Sequence, residues 1–98
     1  MLRMNVRARL WLYEGPGGWH FVTLPAARAK EIRTSTSGRR RGWGSIPVTV
    51  SIGSSTWKTS LFPDRKSSSY VLPVKAEVRR KENLAEGNRV TMKLEVHV

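Results

Sequence analysis

Residues 70–75 read Tyr70-Val71-Leu72-Pro73-Val74-Lys75, an apolar run that meets a proline and then changes its period. Before the proline the run reads as a strand. Pro73 cannot donate to a strand ladder, but it suits the first turn of a helix, where that donor would be unpaired anyway. Beyond it, Val74 and Val78 stand four residues apart, on the buried side of a short helix. The same transition stands earlier in the chain at Leu24-Pro25. There Ala26, Ala29 and Ile32 share one side, with Arg28, Lys30 and Glu31 turned toward water.

Working outward, each transition is flanked by the same kinds of element. Val6, Ala8, Leu10 and Leu12 alternate with Asn5, Arg7, Arg9 and Trp11, a period of two that reads as a strand. Gly15-Pro16-Gly17-Gly18 reverses the chain, and residues 19–24 return as its partner. Residues 34–44 have no period and read as a loop. Ile46, Val48, Val50 and Ile52 then alternate, Gly53-Ser54-Ser55 turns the chain, and residues 56–61 run back. A second polar loop is expected over residues 62–69. After the second helix, Gly87 and Asn88 turn into Val90, Met92, Leu94 and Val96. Hairpin, Leu-Pro, helix and strand thus occur twice. The expected fold is mainly β with two short helices, pseudo-twofold through an internal β-hairpin–helix–strand duplication. It forms a single domain over residues 1–98, with halves at about 4–52 and 55–98 and with Pro25 and Pro73 as equivalent helix starts.

The 98 residues suffice for one domain and one core. There is no cysteine, which removes disulfides and thiolate metal ligands together. No stretch has the unbroken apolar run of a signal peptide or a membrane span. A cytoplasmic, monomeric protein away from the membrane is expected. Net charge is +11, from 18 Lys and Arg against 7 Asp and Glu. The basic residues divide evenly between the halves, so the excess is not a detachable tail. Such a field attracts polyanions, nucleic acid foremost.

The second half resembles the swapped-hairpin domain of AbrB-type and MazE-type regulators, through Leu72-Pro73, Val78-Arg79, Leu84, Glu86-Gly87-Asn88 and Val90. In those regulators two short chains interleave into one barrel, which implies that a chain with two copies forms a double-split β-barrel alone. The whole chain more closely resembles a bacterial family of unknown function with that fold. The resemblance is carried by residues 12–19, by Gly42-Trp43-Gly44-Ser45-Ile46-Pro47-Val48, by Thr56-Trp57-Lys58-Thr59-Ser60-Leu61-Phe62-Pro63, and by residues 70–75. It implies a fold and no activity.

Catalytic chemistry is sparse. There is one Asp, Asp64, and two His, His20 and His97. Glu77, Glu82 and Glu86 lie among Arg79, Arg80 and Lys81, where solvated pairing is the default. No serine stands in a nucleophile-elbow pattern, and two His without cysteine make no metal site. Gly53-Ser54-Ser55-Thr56-Trp57-Lys58-Thr59 lacks the second glycine of a phosphate-binding loop and leads into a strand. Neither an enzyme nor a cofactor or metal site is expected.

What remains is binding. Arg39, Arg40 and Arg41 with flanking glycines place planar guanidinium forks on a backbone that can approach phosphate. Arg65 and Lys66 in the second loop, and Lys75, Arg79 and Arg80 at the second helix, extend the candidate anion-binding set. Trp11, Tyr13, Trp43, Phe62 and Tyr70 are the candidate aromatic surface or pocket residues, with Arg7, Arg9, Trp11 and Tyr13 on one strand face. A non-catalytic module binding nucleic acid or another anion is the leading expectation. The rival is a small-ligand or protein-interaction module with Trp43 and Phe62 lining a pocket at the barrel end.

Overall fold

The computed structural model describes residues 1–36 and 44–97. Six strands and two helices follow one another as β1 (Leu2–Leu12), β2 (His20–Thr23), α1 (Ala26–Thr36), β3 (Ile46–Ile52), β4 (Ser55–Asp64), β5 (Ser69–Pro73), α2 (Ala76–Lys81) and β6 (Arg89–Val96). The strands close into an antiparallel barrel in the order β1-β2-β5-β4-β3-β6. Exchanging β1, β2 and β3 for β4, β5 and β6 leaves that cyclic order unchanged. The duplication expected from the sequence concerns ancestry, which strand order does not decide.

Closure depends on two long strands that change partners. β1 pairs with β6 from Leu2 to Arg9 and with β2 from Leu10 to Leu12. β4 pairs with β3 from Ser55 to Leu61 and with β5 from Phe62 to Asp64. The residues at the switches, Leu10 and Leu61, are both fully buried. Alternation drives this: Met4, Val6 and Leu10 point inward from β1, Ile46, Val48, Val50 and Ile52 from β3, and Val90, Met92, Leu94 and Val96 from β6. All join one continuous core.

The helices differ. Pro25 stands directly before α1, and its carbonyl accepts from Arg28 N (3.0 Å) and Ala29 N (3.1 Å). Ala29, Ile32 and Thr36 face the core, while Ala26, placed with them from the sequence, is exposed. Thr36 Oγ1 donates to the Ile32 carbonyl at 2.7 Å, so residues 34–36 continue the helix where a loop was expected. Pro73, by contrast, is the last residue of β5, and the N-cap of α2 is Lys75. The two prolines are therefore not equivalent helix starts. Val74 is buried, as expected, but precedes α2 instead of lying on it.

β4 also runs further than expected, taking in Phe62, Pro63 and Asp64. Pro63 is tolerated because this stretch pairs on one side only, with β5. The chain then turns through residues 65–68, where Asp64 Oδ2 accepts from Ser67 N (3.1 Å) and Ser67 Oγ (2.6 Å).

The β3–β4 turn is locked by the end of α2. Gly53, at φ +57°, takes the first central position of a two-residue turn closed by the Ile52–Ser55 pair. The Glu82 carboxylate sits over it, accepting from Ser55 Oγ at 2.7 Å and Ser54 Oγ at 3.2 Å. The Ser55 hydroxyl is the main reason the Glu82 pKa falls below its usual 4.5, against a smaller opposing effect of desolvation and with help from Ser54 and Lys81. A Cβ on Gly53 would lie 2.0 Å from Glu82 Oε1. Gly53→Ala should therefore destabilise the fold by about 1–2 kcal/mol from the left-handed backbone alone, read as a lowered denaturation midpoint. Because the folded pKa is lowered, the ionised Glu82 contributes stability above pH 4.5 that is lost as pH falls through its folded pKa. Glu82→Gln should lower the thermal midpoint at pH 7 and converge on the parent in the acid range; a constant gap between the two at every pH would contradict this.

Candidate functional site

The face of β1 opposite the core carries Arg7, Arg9 and Trp11, as alternation predicts, and Tyr13 follows directly after the strand, where Leu12 and Tyr13 are both exposed. Around Phe21 on β2 this face gathers an aromatic cluster. The Trp11 ring lies 5.2 Å from Phe21, Tyr13 meets it edge-on at 6.3 Å, and Trp19 stacks on it at 6.0 Å and 10°. Trp11 is half-buried and its indole N–H donates to Thr23 Oγ1 at 2.8 Å. Trp19 is the most exposed of the four, at 55 %.

Two clefts flank this cluster. One, of about 490 Å³, is lined by Trp11, Leu12, Tyr13, Glu14 and Thr23 on one side and Asp64, Lys66 and Ser67 on the other. Its charges are mixed, and Asp64 is already engaged by Ser67. The other, of about 390 Å³, lies between the middle of β4 and the segments that begin β2 and α2. Trp19, His20, Trp57, Lys58, Lys75 and Arg79 supply its large side chains, and among the described residues no carboxylate lines it.

The second groove is organised around Arg79. Its Nε donates to the Val74 carbonyl at 3.1 Å, and Nη1 lies 3.5 Å from His20 Nε2. His20 Nδ1 is 2.8 Å from the Gly18 carbonyl, which can only accept, so Nδ1 carries a proton and Nε2 is the ring nitrogen that faces Arg79. A chain of hydrogen bonds thus ties the β1–β2 turn to α2. Beyond Trp57 and Lys75 the groove adjoins a smaller depression, of about 280 Å³, that adds Lys81 and Glu77.

The residues singled out from the sequence are only partly brought together. Lys75 and Arg79 share the groove. Lys66 lies in the mixed-charge cleft, and Arg65 and Arg80 are exposed outside both. Tyr70 is a correction: it is 2 % exposed and part of the core, because it stands two residues before the buried Leu72 on the inward face of β5. Phe62 is 44 % exposed on the outer face of β4, not in a loop, and it lines neither cleft. Arg39, Arg40, Arg41 and Trp43 lie outside the described residues. Trp19, His20, Trp57 and Lys58 were not among the candidate site residues, although Trp19 directly after the Gly-rich turn was a signal for an exposed ring.

Among the described residues, no group of three His, Cys, Asp or Glu is placed to hold a metal ion, and no helix is long and apolar enough to cross a membrane. Among curated proteins, none matches this chain. Residues 7–94 match the family described as a domain of unknown function, DUF1905, and with that match running from β1 to β6 the chain belongs to this family.

Proposed function

We propose that this protein is a non-catalytic module that binds nucleic acid through the groove between β4, the start of β2 and α2. The observation that carries the reading is the convergence of Lys58, Lys75 and Arg79 on a groove that, among the described residues, no carboxylate lines. Its charged side chains are hydrogen-bond donors suited to phosphate oxygens. The net charge of +11 supports the same partner, since it draws a polyanion in from a distance. The partial likeness of the second half to AbrB-type regulators points the same way, as analogy only.

The mixed-charge cleft beside Trp11 and Tyr13 favours the rival reading of a small-ligand site, being the roomier of the two. Two of its polar groups are already engaged within the protein. Asp64 holds the Ser67 turn and the Trp11 N–H is taken by Thr23, which leaves few convergent groups to orient a ligand.

Phosphate contacts make binding fall with salt, by about 0.7–0.9 in logarithmic slope for each phosphate neutralised. Lys75→Ala should lower that slope by about one contact's worth while Lys66→Ala, in the other cleft, leaves it unchanged. Both side chains are exposed, so each substitution should cost under about 0.5 kcal/mol of stability. Titration of labelled DNA and RNA across a salt series measures this, and no binding even at about 50 mM salt would sink the proposal.

A further inference from the structure

Trp19 combines exposure with a fixed orientation. One face of its indole is covered by Phe21, nearly parallel at 10°. Its backbone carbonyl accepts from Tyr13 N at 2.8 Å, closing the β1–β2 hairpin. Gly17, at φ +98°, lies against the ring edge, where a Cβ would stand 3.0 Å from Cδ1 and Nε1. Packing therefore holds the ring in place while its other face remains open beside the groove, at 55 % exposure. An aromatic surface set in advance binds another flat ring with little ordering cost.

The opposite wall is a strand with one side unpaired. β4 pairs with β3 over residues 55–61, and its pairing with β5 begins only at Phe62. In a hairpin closed by the Ile52–Ser55 pair, hydrogen bonding to β3 recurs at Trp57 and Thr59. The backbone groups of Thr56, Lys58 and Ser60 then point away from β3, and among the described residues no strand meets them. The groove runs along this edge at Trp57, Lys58 and Thr59. Main-chain donors, the Lys58 and Lys75 ammonium groups and an Arg79 guanidinium already held by Val74 thus face the platform that Trp19 provides.

A duplex keeps its base faces stacked inside and offers this platform nothing, whereas an unpaired base can lie on it. Resting on the nucleic-acid reading above, we propose that the groove takes an unpaired nucleotide, its base stacked on Trp19 and its phosphates toward Lys58, Lys75 and Arg79. The module then prefers single strands to duplex. It has little preference between bases, because every base has a π-face.

Fluorescence anisotropy with a short mixed-sequence strand, as DNA and as RNA, and with the matching DNA duplex tests this on the full chain. The single strands should bind at least about tenfold more tightly than the duplex. Trp19→Ala should weaken single-strand binding by about five- to a hundredfold, as expected for loss of one stacked base, and leave duplex binding unchanged. Trp19→Phe keeps a ring on Phe21 and should retain most of the affinity, with a thermal melt confirming that each variant is folded. Duplex binding as tight as single-strand binding, or an unchanged affinity in folded Trp19→Ala, overturns this inference and leaves nucleic-acid binding standing. Absence of binding to any of the three overturns both.

Discussion

β1 and β4 each serve two neighbours in succession, and the rest of the molecule follows from that. β1 leaves β6 after Arg9 and takes up β2 at Leu10, while β4 leaves β3 after Leu61 and takes up β5 at Phe62. A strand that changes partner has an unpaired stretch on one side before the switch. Closing the barrel this way buries Leu10 and Leu61 at the crossing points, with the Leu10 main chain bonded in addition to Gly87 and Asn88 of the turn before β6. It also leaves two splits in the wall, and the connections after β2 and β5 run beside them.

The helices in those connections do not do equal work. α1, of 11 residues, packs against β1 and β5 and reaches across to the β4–β5 turn, where Arg33 Nη1 donates to the Ser68 carbonyl at 3.2 Å. α2 has 6 residues and holds the barrel by its end, through Glu82 on the β3–β4 turn. The β4 side of the barrel therefore retains a groove, walled by α2, the β1–β2 turn and the unpaired strand edge. An exposed edge is a liability that proteins often protect with lysine. Lys58 on this edge serves that purpose whether or not a partner is bound, and the same charge suits an anionic occupant.

Much of this was legible in the sequence because it is written in local periods. Alternation in residues 5–12 and 46–52 placed the core faces of β1 and β3, although Leu12, grouped with Val6 and Leu10, is exposed, and the Gly-rich turns marked both hairpins. What could not be read was non-local. The Tyr70 ring is the exception, since its spacing of two from Leu72 already put it on that residue's buried face. Residues 62–69 read as a polar loop, and the one-sided pairing of β4 is what admits Pro63 to a strand there. For the site, Lys75 and Arg79 were legible as cations on a basic helix. Their grouping with Lys58, Trp57 and Trp19 arises because the split in the wall brings three distant segments together, which no local pattern encodes.

The most direct measurement is backbone and indole chemical-shift mapping by NMR as a single-stranded oligonucleotide is titrated into the isotope-labelled protein. The account predicts that the largest shifts fall on Trp19, His20, residues 57–59 and residues 74–79. The cleft lined by Tyr13, Glu14, Asp64 and Ser67 should stay quiet. Shifts concentrated in that cleft, or spread evenly over every basic residue, would contradict the claim that the split beside β4 is where this protein binds.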